Sequence, residues 1–201
     1  HRLGIEACES AGADFALGNI GAGAGAVAGR LKGGLGSASA LLDGGLQVGA
    51  LVAANPAGSV VIPGTRTLWA WQAERNGEFG GMGPPPSAVD WSREETKLPL
   101  DIGANTTIGV VATNAALSNA EAGRVALMAH DGIARAVRPA HTVFDGDTLF
   151  TLATAKFRRP AGPVELSRIG ALAADCVERA IGRAVYEAQM VGDVPALRSA
   201  G

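Results

Sequence analysis

Asn105-Thr106-Thr107-Ile108-Gly109-Val110-Val111-Ala112-Thr113 passes from a polar junction into a β-branched apolar run. The run has the composition of a half-buried strand, with a threonine where loop becomes strand. Before it, residues 63–100 are unlike the rest. They hold Gly80-Gly81-Met82-Gly83-Pro84-Pro85-Pro86, all three tryptophans and a charged stretch, Trp91–Lys97. That composition predicts a long mobile loop of the linker or lid kind. After it, Ser118-Asn119-Ala120-Glu121 forms a capping-box signature. The helix it opens carries Val125, Met128, Ala129, Ile133 and Val137 on one face and should stop near Pro139.

Outward from this centre, the elements mix. Residues 2–11 read as a short helix and Asp14–Asn19 as a strand. Residues 37–42 and 46–54 flank the turn Asp43-Gly44-Gly45 and read as a hairpin. Asn55-Pro56-Ala57-Gly58 is a turn, and Ser59–Ile62 a further strand. Thr148–Thr154 reads as a strand. Ser167 to about Gln189 is an amphipathic helix, with Ile169, Leu172, Ala173, Cys176, Ala180, Ile181, Ala184 and Val185 on one face. Hairpins and helices without regular βαβ repeats favour an α+β layered sandwich over a doubly wound sheet.

The chain has 201 residues, enough for one domain with a sizeable core. It is 47% hydrophobic but only 4% aromatic, so small aliphatic residues must build that core. A formal charge of −2 with mixed signs gives no footprint for nucleic acid or a membrane surface. No apolar run is long enough for a transmembrane helix. Cys8 and Cys176 lack the spacing of a metal or redox motif and read as reduced, buried thiols.

Several residues carry candidate chemistry. Thr106 could act as a nucleophile if the chain cuts itself between Asn105 and Thr106, the freed amine then serving as base. Asp145-Gly146-Asp147 can orient an ammonium or hydroxyl if both carboxylates face one site; alone they are thin evidence for calcium. Asn55 can donate to a developing oxyanion. Lys32 lies among glycines that allow close backbone approach. His141 could be a base but reads better as a local hydrogen-bonding residue. The run Gly18–Gly25 follows a predicted strand, but its G-x-G-x-G spacing and the missing acidic partner argue against a dinucleotide site. No cofactor or metal is called for.

Five segments together resemble the self-processing aminopeptidases of the DmpA type, a group that includes β-aminopeptidases and nylon-oligomer hydrolases. They are Gly-Asn-Ile-Gly-Ala-Gly-Ala-Gly at 18–25, Leu-Lys-Gly-Gly-Leu-Gly-Ser-Ala-Ser at 31–39, Asn-Pro-Ala-Gly at 55–58, Asn-Thr-Thr-Ile-Gly-Val-Val-Ala-Thr-Asn at 105–114 and Asp-Gly-Asp-Thr-Leu-Phe at 145–150. The Asn-Thr junction and the acid pair look closer to the nylon-hydrolase branch. The resemblance implies an N-terminal-nucleophile hydrolase with an αββα four-layer sandwich, like the ornithine acetyltransferases. It implies Thr106 as nucleophile, Asn55 at the oxyanion, Lys32 lining the site, and Asp145 and Asp147 holding the amine of Thr106.

It further implies one structural domain in two pieces. Residues 1–105 would be the C-terminal part of an α subunit whose first third, with a substrate-binding tyrosine, is absent here; residues 106–201 would be the β subunit. The implied substrate is a small peptide or amide with a free amino end, and the implied setting a cytoplasmic homo-oligomer. Other readings remain: acyl transfer to an amine, a glycine-rich nucleotide-binding module, and an inert scaffold that never processes.

Overall fold

In a computed structural model, the strand predicted at the Asn-Thr junction lies inside a four-stranded sheet. The structure describes residues 2–42, 44–86, 89, 96–97, 105–157 and 162–199. The order of elements is α1 (Arg2–Glu9), β1 (Val27–Ala28), β2 (Leu31–Lys32), β3 (Gly34–Leu41), β4 (Gln47–Ala54), β5 (Ile108–Thr113), α2 (Asn119–Ala136), β6 (Thr148–Ala153) and α3 (Pro163–Tyr186). β3 and β4 form the expected antiparallel hairpin, with Ala38 opposite Ala50. β5 runs antiparallel to β4, with Val111 opposite Ala50. β6 is parallel to β5, so α2 is the crossover of a single βαβ unit.

Local sequence explains the boundaries. Ser118 accepts from the Glu121 N–H and Glu121 reaches back to Ser118, the reciprocal cap that starts α2. α3 begins at Pro163, a residue suited to the first turn because its missing N–H would have no helical partner. This start precedes the expected Ser167, since nothing in Pro163–Leu166 opposes a helix once α3 has a face to bury. Two expected strands are absent. Asp14–Asn19 makes only a single bridge, Gly18 to Leu35, and Ser59–Ile62 only the bridges Ser59–Arg138 and Val61–Leu68. Gly18 meets β3 at one residue only and Ser59–Ile62 meets residues outside any strand, so their β-like composition does not become a ladder. The long-loop expectation covers residues partly outside the described set, including Trp91–Glu95; within it, Trp69–Ala73 forms a short 3-10 turn.

The core lies between the sheet and the helix pair. Val48, Ala50, Val52 and Val111 face Val125, Ala129, Ile133, Ile169, Ala173, Val177, Ile181 and Val185, all buried. α3 lies so close to β3 that a Cβ on Gly36 would strike the Ala180 carbonyl. This close approach is what a core of small aliphatic residues permits in place of aromatic filling. Cys176 is buried and its thiol is pushed up to about 11 by burial. Cys8 is exposed, contrary to expectation, because α1 buries none of its residues.

The architecture is α+β. Among the described residues it forms two layers, one of helices and one of strands. The sheet face turned away from the helices carries Leu51, Ile108, Val110, Phe150 and Leu152, each 39–56% exposed. Apolar side chains on a sheet face are what a second, stacked sheet covers in a sandwich. No helix of the described residues is long and apolar enough to cross a membrane.

Candidate active site

Strand periodicity puts the junction threonine on that outer face. Side chains alternate along β5, so Thr106 shares the side of Ile108 and Val110. Asn55 continues β4 on the same side as Ala53 and Leu51. The two strand ends meet there: Thr106 N–H donates to the Asn55 carbonyl at 3.0 Å. Asn105 in turn bridges in parallel to Asp145, just before β6. The glycine-flanked acid pair is thus brought to the junction by the parallel pairing of β5 and β6.

The Asn105 carbonyl lies between two donors. Gly146 N–H reaches it at 2.8 Å and the Thr106 hydroxyl at 2.7 Å. The absence of a side chain at residue 146 matters, because a Cβ there would sit 2.8 Å from Thr106 Oγ1. Asn105 and Thr107 are buried on either side of the half-buried Thr106. The nucleophile candidate therefore has little freedom to leave the carbonyl it faces.

The two aspartates take separate tasks. Asp145 Oδ1 accepts from Ala57 N–H at 2.9 Å, and Oδ2 accepts from the N–H and hydroxyl of Thr142 at 2.9 and 2.6 Å. It ties the Asn55–Gly58 turn to the loop before β6. Asp147 Oδ1 accepts from Thr107 N–H at 2.8 Å, and Oδ2 lies 2.8 Å from His141 Nδ1. In this arrangement Asp147 holds the Thr107 amide and Asp145 holds the two neighbouring loops, while the Thr106 nitrogen donates to the Asn55 carbonyl.

Asn55 accepts through Oδ1 from Val27 N–H at 2.9 Å and from the Lys97 ammonium at 3.1 Å. Two donors on one amide oxygen fix its orientation. Lys32 is buried, and its ammonium donates to the carbonyls of Ala26 and Gly33. Burial first, and the charge of Lys97 second, hold Lys32 below the usual lysine range. Burial also lowers Lys97, opposed by the Asp145 carboxylate.

A cavity of about 280 Å³ opens here, lined by Ala26, Ala53, Asn55, Lys97, Thr106 and Ile108 among others. A larger hollow of about 720 Å³ lies elsewhere, between Trp69, Trp71, Arg138 and Glu178, and includes none of the junction residues. The smaller one is where a threonine hydroxyl, an amide and an ammonium converge, so chemistry rather than volume makes it the candidate site. Among the described residues no cluster of three or more His, Cys, Asp or Glu side chains is placed to hold a metal ion.

Three of the six residues expected at the site meet directly. Asn105, Thr106 and Asn55 are linked through the backbone, and Asp147 joins them through Thr107. Asp145 reaches the network through the Asn55–Gly58 turn, and Lys32 stands behind the cavity on the Ala26 carbonyl. Two residues escaped the sequence reading. Lys97 lies in a charged stretch with no motif, and Gly146 was read only as the spacer between two carboxylates. The run Gly18–Gly25 forms no strand-to-helix phosphate loop; its residues Gly21–Gly23 make a 3-10 turn.

The model of peptidase family S58 matches residues 2–196. An uncharacterised aminopeptidase of Mycobacterium tuberculosis is 46% identical over 211 aligned positions, which cover 98% of this chain and 60% of that protein. A 6-aminohexanoate-oligomer endohydrolase of Paenarthrobacter ureafaciens is 29% identical over 68% of this chain and 40% of its own length. Among solved structures, an L-aminopeptidase D-Ala-esterase/amidase of Ochrobactrum anthropi, described as a variant of the Ntn hydrolase fold, aligns with TM-score 0.61 and 25% identity. That alignment covers 92% of this chain and 48% of the other. A protein of Pyrococcus horikoshii aligns with TM-score 0.64 at 25% identity, over 97% of this chain and 51% of its own. The chain spans about 60% of the length of the mycobacterial relative and about half of these structures. It has the Ntn hydrolase fold of its structural neighbours, and it belongs to peptidase family S58.

Proposed function

We propose that this chain carries the nucleophile of a self-processing amide hydrolase that cuts itself between Asn105 and Thr106. The observation that carries the reading is the Asn105 carbonyl held by Gly146 N–H at 2.8 Å with the Thr106 hydroxyl beside it. Thr106 Oγ1 attacks that carbonyl carbon, its proton passes to the departing nitrogen, and the amide becomes an ester. Water then splits the ester, leaving a carboxylate on Asn105 and a free amine and hydroxyl on Thr106. Gly146 N–H faces the oxygen on which negative charge develops.

The freed amine has an ordinary pKa near 8, suited to a general base around neutral pH. Thr106 then attacks a substrate amide, releases the amine and passes the acyl group to water. Asn55 stands at the oxyanion side, Lys32 adds positive charge behind the cavity, and Asp145 and Asp147 fix the strand ends. The small cavity suits a small peptide or amide. The seat of the Lys97 ammonium on Asn55 Oδ1 marks a place that accepts a cation, which supports a substrate with a free amino end. Residues 1–105 and 106–201 would be the two pieces of one processed domain. The remaining layers of the sandwich would cover the apolar sheet face. A cytoplasmic homo-oligomer completes the proposal.

A second reading within the same family is hydrolysis of nylon-type oligomers, favoured by the relatives that bear that activity in their names. Full-length protein and its Thr106→Ala variant, compared on a denaturing gel and assayed with small aminoacyl amides and 6-aminohexanoate oligomers, test both. The proposal expects two fragments and turnover from the wild type, and one uncut, inactive chain from the variant. A variant that still splits contradicts it.

A further inference from the structure

His141 takes no part in the proposed cleavage and turnover steps, yet its ring sits on one of the two aspartates beside the junction. It has a left-handed backbone, φ 53, a conformation rare for residues with a side chain though less so for histidine. That conformation sets its ring against Asp147, with Nδ1 2.8 Å from Oδ2. The aspartate side chain is 4% exposed and the histidine side chain 40%. A buried carboxylate thus has one ligand inside the protein, Thr107 N–H at 2.8 Å, and one at the solvent boundary. Thr107 is joined by a peptide bond to Thr106, so the chain of contacts runs His141, Asp147, Thr107 amide, nucleophile.

An ionised carboxylate only accepts hydrogen bonds, so Nδ1 carries the proton in this pair. Nε2 is then the atom that gains or loses charge. With an imidazolium, the pair is neutral; with a neutral ring, it carries one negative charge beside the Thr107 amide. Other charges face the ring. His130 packs against it with ring centroids 5.1 Å apart. Burial, then the charge of His141, hold His130 below the usual histidine range, while Asp147 and Asp131 oppose this. Asp145 lies two residues from Asp147 and is engaged by Ala57 and Thr142.

We infer that His141 is a positioning residue for Thr106: it fixes the Asp147 carboxylate, which fixes the Thr107 amide and the backbone that presents the nucleophile. The inference rests on the self-processing reading for its catalytic meaning, but its geometry can be tested without turnover. Protonation at Nε2 is felt at the Thr107 amide through a single shared carboxylate. A change at the His141 ring is therefore passed to the residue next to the nucleophile, and self-cleavage and turnover should respond to it.

Two variants test it in the full-length protein. Asparagine at this position keeps an N–H near the place of Nδ1 but cannot titrate; alanine removes the contact. His141→Ala should lower kcat about tenfold or more with little change in KM, through a misplaced nucleophile. His141→Asn should restore most of the rate at neutral pH and flatten the profile between pH 5 and 8. In the uncut Thr106→Ala protein, the Thr107 amide resonance should shift through that pH range, keep doing so in His130→Gln, and stop in His141→Asn. A Thr107 amide that ignores pH, or a His141→Asn enzyme with the wild-type profile, overturns the inference while leaving self-processing intact. A wild type that neither cuts itself nor hydrolyses amides overturns the functional reading instead, and the inference then stands or falls on the amide resonance. Should His141→Ala fail to fold, the asparagine variant and the resonance decide.

Discussion

Gly146 N–H donates to the Asn105 carbonyl at 2.8 Å, across the parallel bridge that joins the β5 and β6 ends. This contact places a backbone donor on the carbonyl that the Thr106 hydroxyl also touches. Only glycine leaves room for it, since a Cβ would come within 2.8 Å of Thr106 Oγ1. Gly146→Ala should therefore fold but push the hydroxyl aside and slow self-cleavage by ~10²-fold, the usual cost of an ångström-scale misplacement. A pulse-chase gel that follows the uncut chain measures this. Cleavage at the wild-type rate would show that the Gly146 contact has no part in it.

Asn55 separates structure from chemistry. Its Oδ1 accepts from Val27 N–H and Lys97, while the oxyanion role needs its amide donor. Asn55→Asp keeps the acceptor and should melt near the wild type, yet lose roughly 10²-fold or more in kcat. Asn55→Ala leaves the Val27 donor unpaired and should also cost about 1–3 kcal/mol of stability. Thermal melts beside steady-state kinetics distinguish the two. Equal stability losses in both variants would make Asn55 a structural residue only.

Lys32 is buried with its ammonium on two carbonyls and its pKa lowered by burial. A desolvated cation acts more strongly on a nearby alkoxide than a solvated one. Lys32→Met keeps the aliphatic bulk and removes the charge. Turnover should fall at least about tenfold with the fold retained, one unit of pKa or 1.4 kcal/mol being a tenfold change. Lys32→Arg should not rescue it, because the guanidinium has a different shape and hydration. Activity assays with a circular-dichroism control check this; undiminished turnover in Lys32→Met would remove Lys32 from the site.

Far from the junction, Glu178 gives a pH signature of stability. Burial raises its carboxyl to about 7, and Arg135, 3.7 Å away, opposes the shift only in part. A carboxyl raised above its unfolded value of 4.5 favours folding below that value, and this contribution is lost as pH rises through about 7. Stability should thus decline between pH 4.5 and 7 on this account. Glu178→Gln should flatten the decline and gain on the order of 3 kcal/mol above pH 7. Urea unfolding at pH 5 and pH 8 reads it directly; parallel losses in both proteins would contradict the assignment.

Much of this was legible in the residues, for reasons that can be named. The glycine-containing break between two apolar runs encodes the β3–β4 hairpin, and Ser118 with Glu121 dictates the start of α2. Thr106, Asn55, Asp145 and Asp147 stand out as candidates in the sequence as polar residues beside strand-like runs and through the resemblance. What escaped depends on tertiary pairing. Lys97 meets Asn55 only because its backbone N–H is held by the Ala57 carbonyl, and no local pattern encodes that contact. Gly146 matters through the side chain it lacks. Asp14–Asn19 and Ser59–Ile62 have strand composition but make only isolated bridges, so composition overstates them.

Intact-mass spectrometry of the purified full-length protein, with Edman sequencing of its fragments, decides whether the chain cuts itself before Thr106. Wild type should give two fragments, the second beginning with a free amine on Thr106, and Thr106→Ala a single uncut mass. A wild-type protein that stays whole after prolonged incubation and still hydrolyses amides would contradict self-cleavage as the source of the nucleophile.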